Sequence, residues 1–194
     1  KQRTIAKPGS GLPELVLTAN YPANCTNLKV CNLPTSTTDQ TGQTTNYEYD
    51  PSSGQPVRIT APPQANGVRP ETRMEYVTYQ AWVKNSGGNL VLAPHAIRYL
   101  LSTSTCATGA APACIGTASE TISNVWYVPK SGSRGTNVLP ERVTSGAGNG
   151  DAAQTRTVNA AYDDIGNVTA VSDGSGNFSQ MRYNATRQQT AAWT

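Results

Sequence analysis

The stretch Ala161-Tyr162-Asp163-Asp164-Ile165-Gly166-Asn167-Val168-Thr169 decides how the chain is read. One strand ends on Tyr162, Asp163 opens a turn, and Val168 starts a second strand. An aspartate at that point accepts hydrogen bonds from backbone amides two residues on, and Gly166 supplies the positive φ that closes a hairpin. Asp173-Gly174-Ser175-Gly176-Asn177 forms the next turn, and Met181-Arg182-Tyr183-Asn184 the strand end after it. The same grammar stands near the start, in Asp39-Gln40-Thr41-Gly42-Gln43 followed by Tyr49-Asp50. In both places an Asp-x-x-Gly turn precedes a Tyr-Asp or Tyr-Asn pair by ten residues, from 39 to 49 and from 173 to 183. A register that recurs in this way predicts a repeated antiparallel β-hairpin.

Composition agrees. Leu, Ile, Val and Phe make up about 16 % of the 194 residues, below the roughly 20 % that accompanies a conventional core. Disorder would pair that low value with a high net charge, but the charge is only +3. Nine Tyr, three Trp and many Thr and Val favour strands, while 17 Gly and 13 Pro supply turns. The expected class is all-β. The 15 basic and 12 acidic residues are dispersed, without the cationic stripe that displaces phosphate counterions, which argues against nucleic acid. No apolar run resembles a signal peptide or a membrane span. With Lys1 at one end and Ala191-Ala192-Trp193-Thr194 at the other, the chain reads as a piece of a longer protein.

Period-two alternation places strands along the chain. Leu15-Val16-Leu17 is a short strand in a leading segment, residues 1–24. Residues 43–60 form a hairpin, with Tyr47 and Tyr49 opposite Glu48, and Val57 and Ile59 opposite Arg58. Thr72 to Val83 is the longest strand expected, and Asn85-Ser86-Gly87-Gly88-Asn89 a hairpin turn. Leu90–Leu92 and Ile97–Leu101 are strands separated by Pro94. Residues 102–120 are expected to be an insertion loop, between first repeats over 25–101 and last repeats over 121–194. Ser123–Val128 returns to strand. Lys130–Gly135 and Ser145–Asp151 are read as loops, and no amphipathic helix is evident.

Four cysteines allow three pairings. Their spacing favours two local bridges, Cys25–Cys31 and Cys106–Cys114, each tying off a loop and worth roughly 2 kcal/mol. Free thiols and a zinc site are the alternatives. The zinc reading lacks CxxC spacing and has only His95 to add. Bridges imply an oxidising compartment.

No catalytic constellation emerges. His95 is the sole imidazole, and Asp163 and Asp164 are adjacent and point apart in extended chain. Asp173–Asn177 offers one carboxylate where a calcium loop needs several oxygen ligands. Walker, GxSxG and HExxH motifs do not occur. No cofactor or metal is expected, and the chain reads as a non-enzyme. Acceptor patterns for N-glycosylation at Asn24, Asn167, Asn177 and Asn184 are the chance matches an Asn/Thr-rich chain yields.

Tyr162-Asp163-x-x-Gly166-Asn167-Val168 followed by Asp173-x-x-Gly176-Asn177 resembles the YD repeat of bacterial RHS proteins. Cys25–Thr35, Tyr47–Pro51, Gly67–Arg73 and Asn137–Pro140 running into Ser145–Gly148 are similar to RHS stretches too, so the resemblance spans roughly residues 20–190. It implies repeated antiparallel hairpins within a coiled β-sheet shell that encloses a C-terminal toxin and is secreted or displayed at a bacterial cell surface. The animal teneurins carry a related shell used in adhesion. On this resemblance the ring and carboxylate of each motif are structural, roles that fall on Tyr49, Asp50 and Gly54, on Tyr162, Asp163 and Gly166, and on Tyr183. The last copy departs from the pattern, with Asn184 for Asp and Arg187 in place of Gly. The family's DPxGL-like self-cleavage motif is not found, since Asp50-Pro51 runs into Ser52-Ser53-Gly54. The implied function is a non-catalytic wall segment whose partners are neighbouring repeats and the enclosed toxin. The alternative is an extracellular adhesive or fibre-forming module that self-associates through exposed strand edges.

Overall fold

The structure, a computed structural model, describes residues 2–5, 11, 15–107, 120–127, 138–163, 165–186 and 188–193. Its strands are Gln2–Ile5 (β1), Leu15–Asn20 (β2), Ser36–Thr38 (β3), Thr44–Tyr49 (β4), Pro56–Thr60 (β5), Glu71–Lys84 (β6) and Leu90–Cys106 (β7). There follow Glu120–Tyr127 (β8), Pro140–Ala147 (β9), Arg156–Tyr162 (β10), Val168–Asp173 (β11), Phe178–Tyr183 (β12) and Gln189–Trp193 (β13). They form a 13-stranded sheet in which spatial order equals chain order. The all-β expectation holds. The one helical element described is a single 3₁₀ turn, Ala152–Gln154, capped by Asp151 accepting from the Ala153 amide at 3.0 Å.

Contacts divide the chain into two compact units. Lys1–Met74 and Ser104–Glu120 make the first, Glu75–Thr103 and Thr121–Thr194 the second. Within the first unit, β2 pairs with β3, so the leading segment shares the sheet of the residues after it. Arg58 of β5 lies opposite Glu48 of β4 and its guanidinium binds that carboxylate, which locks the register of the hairpin. Arg69 clamps the same strands. Its Nε donates to the Ala61 carbonyl at 2.9 Å, and its Nη2 to those of Thr44 and Thr60 at 2.9 and 3.3 Å.

The core of this unit is small and partly ionic. Cys31, Cys106, Glu71 and Glu120 are its buried residues among those described. Arg73 lies between the two carboxylates, with Nη1 3.4 Å from Glu120 Oε1 and Nε 4.0 Å from Glu71 Oε2. Arg58 reaches Glu71 from the solvent side at 3.8 Å. Two buried carboxylates are tolerable because cations face them. In the second unit no described residue is fully buried; its half-buried side chains rest on their strand neighbours.

Three sequence expectations need correction. Pro94 does not interrupt a strand. β7 runs through it for 17 residues and is longer than β6, which has 14. A strand accommodates proline where no ladder bond calls on its N–H, and Pro94 is exposed on β7. Both ends of the loop expected over 102–120 are strand: Ser102 to Cys106 continue β7, their β-branched and hydroxyl residues being at home there, and Glu120 begins β8, while residues 108–119 lie outside the described residues. Ser145–Ala147, read as loop, are the end of β9. Gly146 sits opposite Ile122, and a Cβ on it would stand 2.8 Å from Thr155 Cα, so glycine there serves close backbone approach, not a turn. The loop over Lys130–Gly135 lies outside the described residues.

Candidate functional site

The feature that recurs is a turn. Five turns that open on Asp or Asn share one backbone pattern, at Asp39–Gln43, Asn85–Asn89, Asp163–Asn167, Asp173–Asn177 and Asn184–Gln188, and Gln64–Val68 makes the same backbone bonds without an Asx at its head. In each of the five, the first residue's N–H donates to the fifth residue's carbonyl at 2.9–3.0 Å. In the first four, the amide of the fourth residue, a glycine, returns to the first carbonyl at 3.0–3.3 Å. That glycine has φ between +78° and +90°, the left-handed conformation that completes a three-residue hairpin loop with a bulge.

The side chain of the first residue completes the device. Asp163 Oδ1 accepts from the amides of Ile165 and Asn167 at 3.0 and 2.9 Å, while Oδ2 accepts from Asn167 Nδ2 at 2.8 Å. Asp173 repeats all three bonds with Ser175 and Asn177. Asp39 makes the two amide bonds, to Thr41 and Gln43, and adds the Thr41 hydroxyl. These bonds favour the ionised carboxylate. The Thr41 hydroxyl holds Asp39 below the usual carboxyl range, and the Asn177 side chain does so for Asp173. For Asp163 desolvation pushes upward, but the bonds from Asn167, Ile165 and Gly166 outweigh it and the net direction is down.

Charge is not required for the turn itself. Asn85 and Asn184 use an amide oxygen for the same two backbone bonds. The departure at Asn184 therefore leaves that turn formed, with Thr186 and Gln188 as donors; Arg187 lies outside the described residues.

Tyrosine marks the strand end before two of these turns, at Tyr162 and Tyr183, and before the loop that Asp50 opens. Tyr49, Tyr162 and Tyr183 each sit at a register shift in the ladder. Tyr49 Oη donates to the Pro34 carbonyl at 3.0 Å, just ahead of β3, and Tyr162 Oη to the Pro140 carbonyl at 2.7 Å, the first residue of β9. Each ring thus ties its own strand to the start of the preceding one. Tyr183 does not; among the described residues its hydroxyl meets only Met181 Sδ, at 3.9 Å. Tyr127 behaves like a member of the set, at a register shift and donating to the Leu100 carbonyl at 2.8 Å. Sequence reading missed it because Val128, not an acidic residue, follows; its place at a strand end was the available signal. Its ring packs with Tyr79 and Tyr99 at 5.4 and 5.2 Å between centroids. Desolvation raises the phenols of Tyr49, Tyr127 and Tyr162 above their ordinary value.

Asp50 opens a longer loop. Its N–H donates to the Gln55 carbonyl at 2.8 Å, its carbonyl accepts from Gly54 at 2.8 Å, and Oδ1 takes the amides of Ser52 and Ser53. The loop closed by the Cys25–Cys31 disulfide docks on it. Asn27 Nδ2 donates to the Pro51 carbonyl at 2.7 Å, Lys29 Nζ binds the Ser52 carbonyl, and Lys29 O sits where a Cβ on Gly54 would come within 2.5 Å. Cys106 is also disulfide-bonded. Cys114 lies outside the described residues.

Other candidates stay apart. His95 is exposed on β7, and no described group of three or more His, Cys, Asp or Glu side chains is placed to hold a metal. No described helix is long and apolar enough to cross a membrane. The carboxylates that sequence reading examined for chemistry, Asp163 and Asp173, are engaged in turns; Asp164 lies outside the described residues. In comparison with known proteins, no family model matches the chain and no curated protein matches it.

Proposed function

We propose that the chain is a non-catalytic wall segment of an RHS-type shell, a secreted or surface-displayed bacterial β-structure that encloses or displays a toxin. The observation that carries this reading is the recurrence of the Tyr–Asx unit in a sheet whose strands follow chain order. Tyr49–Asp50 and Tyr162–Asp163 use the phenol to grip the preceding strand and the carboxylate to fold the next turn. A wall built this way grows by adding hairpins and needs no second layer of its own, in keeping with the few buried side chains of the first unit and their absence among the described residues of the second. In this reading the partners are adjoining repeats and the enclosed domain.

A second reading, an adhesive or fibre-forming module, is favoured by one feature. β1 and β13 each pair on one side only among the described residues, and such edges recruit further strands. Sedimentation velocity and negative-stain microscopy over a concentration series separate the two. Discrete monomers at every concentration are expected of a wall segment; ordered filaments would overturn that reading and favour the fibre-forming module.

A further inference from the structure

We propose that one face of the second unit's sheet is a binding surface for an acidic polysaccharide. Register alone assembles it. Trp126 lies opposite Arg142, Arg142 opposite Asn159, Asn159 opposite Ser172, and Ser172 opposite Phe178. At about 4.8 Å per strand this row crosses five strands in about 19 Å. Gln180 and Trp193, paired across β12 and β13, extend the face, with Arg182 beside them. The opposite face has another character, with Val125, Val143 and Val158 in register and Ala160 opposite Val171. That aliphatic surface suits packing, whereas the first face offers rings, amides, hydroxyls and guanidinium groups to solvent.

Its aromatic side chains are open: Trp126 is 36 % exposed, Trp193 46 % and Phe178 50 %. Sugar rings present C–H faces that stack on such rings and hydroxyls that pair with amides such as Asn159 and Gln180. Asn159 is already oriented, its Nδ2 donating to Ser172 Oγ at 3.3 Å.

The charge is one-sided. Arg142 Cζ lies 4.1 Å from the Trp126 ring centroid and Arg182 Cζ 5.1 Å from that of Trp193. Both guanidinium groups lie over a ring, an arrangement that still lets their N–H forks meet a planar anion. Among the described residues no carboxylate pairs with either. The described acidic side chains of the strands between Thr121 and Trp193 do not neutralise these cations: Asp173 lies opposite Val158 on the other face, Asp163 belongs to its turn, and Glu141, at the register shift next to Arg142, makes no ion pair with it. Two separated cations are too few to track a phosphate backbone. They suit a glycan with a carboxylate on alternate sugars.

Hyaluronan oligosaccharides are the probe, titrated into the whole chain and followed by tryptophan fluorescence and calorimetry. Saturable binding is expected, weakened by salt and reduced at least tenfold in the double variant Arg142→Gln/Arg182→Gln and in Phe178→Ala, each with an unchanged circular dichroism spectrum. Arg156→Gln, on the opposite face, should bind as the parent does. No binding of hyaluronan overturns the proposal. So does equal binding of neutral dextran, tighter binding of oligo(dT), or an unaltered affinity in the arginine double variant.

Discussion

Gly54→Ala tests whether the disulfide loop and the Asp50 turn act as one structure. Gly54 has φ +78°, and an alanine held there costs about 1–2 kcal/mol from backbone sterics alone. The added Cβ would also stand 2.5 Å from Lys29 O, so the Cys25–Cys31 loop must retreat. That retreat breaks the 2.7 Å bond from Asn27 Nδ2 to the Pro51 carbonyl, worth about 1 kcal/mol. Gly42→Ala is the control, with φ +80° and nothing within 4 Å of the new methyl. Its cost should be the backbone share only, leaving an excess of about 1 kcal/mol for position 54, roughly fivefold in an opening equilibrium. Hydrogen exchange at the amides of Ser53 and residue 54, both bonded to the Asp50 carbonyl, reads that opening directly. In a Cys25→Ser/Cys31→Ser background the loop is already released and the excess should vanish, a coupling that a double-mutant cycle measures. Equal costs at positions 42 and 54, or an excess that survives removal of the bridge, would refute the reasoning.

Three further outcomes follow from the same geometry. Tyr162→Phe loses the 2.7 Å bond to the Pro140 carbonyl and should lower unfolding stability by about 1 kcal/mol, whereas Tyr183→Phe should cost almost nothing; equal losses in urea denaturation would contradict the assigned roles. Arg73→Met leaves Glu71 and Glu120 buried without their shared cation and should cost about 3–5 kcal/mol, most of it recovered when both glutamates become glutamine. The turn carboxylates of Asp39, Asp163 and Asp173 titrate lower folded than unfolded. Their stabilisation is therefore complete above the unfolded value, about 3.9, and lost as pH falls through the folded one. A thermal melt series down to about pH 2 should show Asp163→Asn losing less stability on acidification than the parent, because an amide oxygen caps the turn at any pH.

The turns were legible because they are local. An Asx side chain and a glycine three residues on define each at Asp39, Asn85, Asp163 and Asp173, and no distant partner is needed to read them. The grip of each tyrosine was not legible, since Pro34 and Pro140 are brought to Tyr49 and Tyr162 by strand pairing and not by spacing. Pro94 misled for a related reason: whether a strand tolerates proline depends on whether a ladder bond calls on its N–H, which pairing and not spacing decides. The ion cluster shows the same limit. Arg73, Glu71 and Glu120 look like solvated charges in a list of residues, and it is the meeting of β6 with the start of β8 inside the first unit that buries them.

The match between spatial and chain order has a consequence for how such a chain is made and how it changes over generations. Each strand finds its partner in the segment synthesised just before it, so pairing can advance in step with the emerging chain and no segment waits for a distant one. Gain or loss of a single strand would reverse the direction of everything downstream and carry every later turn to the other end of the sheet. Gain or loss of two strands preserves both direction and ends. Lineages built on this plan should therefore lengthen and shorten in hairpin pairs, with a Tyr–Asx corner arriving or departing each time.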